Sequence, residues 1–238
     1  MTLETAIEIS VRAFSEGKSY SCPYLLDRVD GLWVMHDPPG KRYPRKTEVM
    51  SVGLRPEETV ARVRKLSLGW HFLCHIHPPE ESFNDIRRAY KSLGYRAIAT
   101  EWVFASDLSH VPIKESEPPV RLIRTQAEFD SVKQVAARKR KFRPRWRLYG
   151  VWDDDREYGW VASVPVGENN WVFGLEVFPE YRGRGFGTAL MSKLLQDDMA
   201  LGVKTSVLIA SSDGARLYPH LGYEKIGVLQ MFCPVKRG

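Results

Sequence analysis

Residues 177–188 read VFPEYRGRGFGT, and this stretch restricts the possible fold more tightly than any other part of the chain. A β-rich run, WVFGLEVF over 171–178, stops at Pro179. Glycines follow at 183, 185 and 187, and a helical pattern, FGTALMSKLLQDDMALG, begins at once. A tight strand-to-helix turn needs one glycine, whereas alternating glycines let the backbone take φ > 0 and approach a ligand closely. The amides they free, with the helix N-terminus and its partial positive charge, form a nest suited to phosphate. Arg182 and Arg184 add cations beside it. Two nucleotide-binding patterns fail on spacing. A Walker loop ends in Gly-Lys-Ser/Thr, but Gly187 is followed directly by Thr188. A dinucleotide fingerprint from Gly183 or Gly185 needs its third glycine at 188 or 190, which are Thr and Leu.

The second half of the chain is organised around this loop. A strand pattern at 120–125 is followed by a helix over 126–139 that places Phe129, Val132, Val135 and Ala136 on one face. Strand patterns at 148–154 and 158–166 flank a polar turn, and 171–178 makes a third strand. After the glycine helix, with Leu190, Leu194 and Leu195 inward, come a buried strand at 205–210, a short helix at 214–220 and a last strand at 223–232. The first half repeats part of this order: strand 46–54, helix 56–68, strand 70–77, helix 82–93 with Ser82 as N-cap, strand 95–104. Tyr-x-x-Leu-Gly-Tyr occurs at both 90–95 and 218–223, and VGLRPE (52–57) lines up with LEVFPE (175–180). The pattern predicts an internal duplication whose first copy is incomplete at its front. That copy has Arg55-Pro56-Glu57-Glu58 where the glycine loop should be. With a Pro-rich linker at 109–119, the expected domains are 1–118 and 119–238.

Arg-x-x-Gly-x-Gly over 182–187, preceded by Val-x-Pro-Glu, resembles the first signature of the GNAT superfamily of acetyl-CoA-dependent N-acetyltransferases. GARLYPHLGY over 214–223 resembles the second, and the likeness spans about residues 120–233. It implies an α/β fold of tandem GNAT-like modules, each a mixed, mostly antiparallel sheet flanked by helices, the first degenerate and the second active. It also implies acetyl-CoA as cosubstrate, no metal, and acetyl transfer to a primary amine by direct attack. By the same resemblance, the backbone amides of Arg182, Gly183, Arg184, Gly185, Phe186, Gly187 and Thr188 hold the coenzyme pyrophosphate. The strand edge at Leu175 and Val177 pairs with the pantetheine arm, and the Val177 amide serves as oxyanion donor. Ser211 stands where the family often has an Asn that contacts pantetheine. Tyr218 takes the general-acid position. Glu176, the sole acid in WVFGLEVF, is the first candidate for the amine's base.

Composition bounds the remaining classes. With 43% hydrophobic and 27% charged residues in 238, the chain can bury a core, which excludes intrinsic disorder. It has no run of 18 apolar residues, and MTLETAIEIS has no basic region ahead of an apolar one, so neither a membrane span nor a secretory signal is expected. Cys22, Cys74 and Cys233 form no CxxC pair and read as reduced thiols of a cytoplasmic protein. His71, His75 and His77 share strand parity without a completing carboxylate, so a solvated or interdomain histidine face is expected rather than a metal site. Residues 138–147, RKRKFRPRWR, carry seven cations against a whole-chain net charge of +6. A solvated basic loop is the first reading of this run; the second has Arg143, Arg145 and Arg147 facing an anionic acceptor, with Phe142 and Trp146 for stacking. The expected partner is a small-molecule or peptide amine, and the chain a monomer or homodimer. Two other functions stay open: an inert acyl-CoA-binding sensor, and nucleic-acid binding through 138–147, disfavoured because its cations occupy one short run.

Overall fold

The computed structural model describes residues 1–17, 23–109, 111–131, 142–154 and 156–235. The chain divides into two compact units, the first holding 1–104, 209–213 and 225–238, the second 105–208 and 214–224.

The first unit runs α1 (Leu3–Gly17), β1 (Leu25–Val29), β2 (Leu32–His36), β3 (Glu48–Val52), α2 (Pro56–Lys65), β4 (Phe72–His77), α3 (Phe83–Ser92) and β5 (Tyr95–Asp107), whose last residues belong to the second unit. Its strand order is β1-β2-β3-β4-β11-β5, where β11 is Glu224–Pro234. β3 and β4 are parallel, while β1–β2, β2–β3 and β4–β11 are antiparallel. Helices α2 and α3 close over Leu32, Val34, Val49, Leu73 and Phe232, with Val60, Val63, Ile86 and Tyr90 as their inward side chains. Ser82 caps α3, its hydroxyl accepting from the Asp85 amide at 3.4 Å. The front of this unit, expected to be incomplete, contains α1, β1 and β2. Asp30 and Gly31, at φ 47° and 80°, turn the β1–β2 hairpin, which is the Asp-Gly chemistry such turns require.

The histidine face, expected to be solvated or interdomain, is instead part of this core. His71, His75 and His77 are 5%, 1% and 1% exposed. Tyr95 donates its hydroxyl hydrogen to His71 Nε2 at 3.0 Å, because His71 Nδ1 is committed to the Gly69 carbonyl at 2.7 Å. The hydroxyl of Tyr90 lies 3.0 Å from His75 Nδ1, and Gln230 lies 3.3 Å from His77 Nε2. Burial holds all three rings below the usual histidine pKa, His75 at about 3. Among the described residues no group of three His, Cys, Asp or Glu is arranged to hold a metal ion.

The second unit contains β6 (Val120–Ile123), α4 (Gln126–Ser131), β7 (Arg147–Trp152), β8 (Glu157–Val166), β9 (Asn169–Val177), α5 (Phe186–Ala200) and β10 (Thr205–Ala210). Two 3-10 turns, Gly214–Arg216 and Tyr218–Leu221, stand where one short helix was expected. The strand order is β10-β9-β8-β7-β6, antiparallel except for the parallel pair β9–β10. The expected continuation of α4 to residue 139 lies outside the described residues. So do Cys22 and the first four residues of the basic run. The last strand was expected to complete the second module; β11 instead pairs with β4, from Val228↔His77 to Phe232↔Leu73. Among the described residues no helix is long and apolar enough to cross a membrane.

Candidate active site

Strands β9 and β10 pair only from Asn169↔Thr205 to Val172↔Leu208. Beyond Val172, β9 keeps β8 on one side, and residues 173–177 present their other backbone edge unpaired with β10. The register with β8 also changes there: Ala162 faces Phe173, yet Trp160 faces Glu176, so β9 carries one extra residue. Gly174 takes φ 65° inside this bulge.

One inserted residue reverses which side chains face which side of the sheet. Asn170 points toward α5, where its amide donates to Asp198. A regular strand would therefore turn Glu176 toward α5 as well. The bulge places it on the opposite face, where Trp160 Nε1 donates to Glu176 Oε2 at 3.2 Å. Val177 is turned toward the start of α5, its Cγ2 3.7 Å from the point where a Gly187 Cβ would sit. The close approach of β8 and β9 depends on Gly159, since a Cβ there would lie 2.4 Å from the Glu176 carbonyl oxygen.

After Val177 a 3-10 turn, Pro179–Tyr181, leads into the glycine loop. Gly183 and Gly185 have φ 75° and 87°, and Gly185 is the N-cap of α5 with no side-chain cap. The α5 amides at this end thus face outward without a partner side chain. The space beside Gly183 is open for at least 4 Å, and beside Gly185 the nearest group is Lys114 Cε at 3.5 Å. Gly187 differs, because it is helical and a Cβ there would make ordinary contacts with Val177 and, at 3.6 Å, Leu217. Two of the three glycines are therefore demanded by backbone conformation. Arg182 and Arg184 are exposed; Arg182 Nε donates to the Val177 carbonyl at 3.0 Å, and Arg184 lies over the Tyr181 ring at 5.5 Å. Phe186 is buried 4.8 Å from the Tyr158 ring and anchors the loop to β8. Thr188 and Leu175 are half-buried.

Gly187 is thus a meeting point, with the end of β9 on one side and Leu217, next to Tyr218, on the other. Tyr218 is 7% exposed, and burial pushes its phenol up to about 12. Ser211, exposed in the turn after β10, belongs to the first unit.

Helix α5 is held in place by a buried polar network that no sequence motif announced. Asp198, fully buried, pairs with Arg147 of β7 and accepts from Asn170 of β9 and, at 3.2 Å, Ser163 of β8. Tyr149 donates to Asp197 at 3.0 Å. The available signal was an Asp-Asp pair inside an otherwise apolar helix face. This network also corrects the expectation for the basic run: Arg147 is committed to the fold, and Arg143 lies over Trp146 at 4.1 Å.

Residues 144–225, about a third of the chain, match the family model described as an acetyltransferase (GNAT) domain. No curated protein matches the sequence. Among solved structures, the fold is similar to a GCN5-related N-acetyltransferase from Kribbella flavida, at 15% identity and TM-score 0.67, covering 100% of this chain and 97% of that one. It is also similar to one from Sphaerobacter thermophilus, at 17% identity and TM-score 0.56, covering 87% and 78%. A tandem GNAT protein from the clavulanic acid biosynthesis pathway aligns at 14% identity and TM-score 0.51, covering 88% and 82%.

Proposed function

We propose that the second unit, in which residues 144–225 match the model of the GNAT acetyltransferase domain, acetylates a primary amine by direct attack on acetyl-CoA. The observation that carries this reading is the pair of left-handed glycines, Gly183 and Gly185, opening α5 beside the free edge of β9. The residues fit the cosubstrate. Unpartnered α5 amides, the open space at Gly183 and the exposed Arg182 and Arg184 suit a pyrophosphate. The edge at Leu175 and Val177 suits the amide-bearing pantetheine arm.

Acetyl-CoA supplies an acyl group already activated as a thioester. The Val177 amide donates to the acyl oxygen as negative charge develops there. Glu176 takes a proton from the incoming ammonium, on the face to which the bulge assigns it. Tyr218, with a pKa near 12, stays protonated through neutral pH and donates its hydrogen bond to the departing sulfur. Burial makes this phenol a weaker acid than an exposed one, so it steadies the thiolate more than it protonates it. No serine or cysteine nucleophile is required; Cys233 is buried in β11.

Calorimetry with acetyl-CoA and a thiol-release assay over a primary-amine panel test the proposal. One site per chain with amine-dependent turnover is the expected result. Binding without turnover would make the chain an acyl-CoA sensor, and absent binding would overturn the reading. Two equivalent sites would show that the first unit, with α2 capped by Arg55 and Pro56 in place of glycines, also holds the coenzyme.

A further inference from the structure

Opposite α5, the second unit's sheet carries an aromatic face of which the transfer chemistry above uses only Glu176. Ile123, Phe129, Leu148, Trp160 and Ala162 form its buried layer. Phe142, Trp146 and Phe173 lie against that layer and remain partly exposed. Trp146 meets Phe173 edge-on at 4.6 Å between ring centroids, and the Arg143 guanidinium covers Trp146 at 4.1 Å. Ala162, directly across from Phe173, leaves the ring's neighbour on β8 small. At one end of this face stands Glu176, exposed and bonded to Trp160 Nε1. The next residue is Val177, whose amide marks the acyl position in the proposed reaction.

We propose that the acceptor is a monoamine whose ammonium is carried on an aromatic ring system, with the ring seated against Phe173 and Trp146 and the nitrogen at Glu176. This inference rests on the acetyl-transfer reading. Glu176 supplies the single negative charge that an ammonium requires. Flat π-surfaces beside it favour an aromatic body, because offset or edge-on ring contacts add to the apolar burial. Arg143 disfavours an acceptor with a second ammonium further along, since two cations would meet over Trp146. In the step itself the amine nitrogen bonds to the acyl carbon as the carbon–sulfur bond breaks. Glu176 takes one proton from the ammonium before attack, the second nitrogen proton is released to solvent as the amide forms, and the coenzyme leaves as its thiolate, hydrogen-bonded by Tyr218.

The test is thiol release at saturating acetyl-CoA with four acceptors: phenethylamine, n-butylamine, spermidine and an alanyl peptide. We expect kcat/KM for phenethylamine to exceed each of the others by about tenfold or more. Phe173→Leu and Trp146→Leu, each checked for a native melting transition, should raise the phenethylamine KM several-fold. They should leave the n-butylamine KM and the acetyl-CoA Kd within about twofold. Equal or better turnover of butylamine, spermidine or the peptide would overturn the aromatic acceptor and leave acetyl transfer standing. So would a KM increase shared by all amines. Failure of acetyl-CoA to bind would overturn both.

Discussion

Arg147→Met removes one partner of the ion pair that fastens α5 to the sheet. Asp198 is fully buried and the Arg147 side chain is 16% exposed, so the substitution leaves a carboxylate away from water with only Asn170 and Ser163 as donors. Breaking such a pair costs about 3–5 kcal/mol. At ~2–4 °C per kcal/mol for a chain of this size, the melting temperature should fall by roughly 6–20 °C. The pH dependence identifies the cause. Burial already raises the Asp198 pKa, against the opposing pull of Arg147, Asn170 and Ser163. A carboxyl that binds its proton more tightly when folded loses stability as pH rises through the window between its unfolded and folded values. Without Arg147 the folded value moves higher and the window widens, so the deficit should be larger at pH 8 than at pH 5. Arg147→Met combined with Asp198→Asn should recover more than half of the loss, because the neutral side chain keeps an acceptor. Urea unfolding of the three variants at both pH values measures each number. A loss below about 1 kcal/mol at pH 8, or one independent of pH, would refute the reasoning.

Three further outcomes follow from the same geometry. Tyr218→Phe should lower kcat by about 10²–10³ with the acetyl-CoA Kd little altered, while Tyr90→Phe, whose hydroxyl serves His75, should leave kcat unchanged and cost about 1 kcal/mol of stability; steady-state kinetics with equal kcat losses would show both tyrosines to be structural. Gly185→Asp should abolish acetyl-CoA binding in calorimetry, since φ 87° and an added anion both oppose it, whereas Gly187→Ala should bind normally; loss in both would contradict the backbone geometry. His75, held neutral to about pH 3 while an unfolded histidine titrates near 6.5, contributes stability that is lost as pH falls through that window, about 2 kcal/mol by pH 5; thermal melts that do not fall between pH 7 and 5 would count against it.

Local chemistry made much of this protein legible. Alternating glycines before an apolar helix, Pro179 after a strand, and Ser82 ahead of α3 act within a few residues, so the glycine loop and most elements of the second unit could be placed from the residues themselves. The Asp30-Gly31 hairpin carried an equally local signal, but β1 beside it is mostly exposed and lacks the alternation that marks a half-buried strand. What stayed hidden depends on partners far away in sequence. Asp198 needs Arg147, Ser163 and Asn170 from three strands, and the histidine run is buried because Tyr90, Tyr95 and Gln230 come to meet it. The sequence supplies β11 at the end of the second module, but only pairing with β4 decides which unit it joins. Glu176 shows the division most sharply. Its presence beside the glycine loop is a fact of sequence, yet strand parity alone points it toward α5. The bulge at Gly174 reverses that direction, because side chains alternate with period two and one extra residue exchanges the faces.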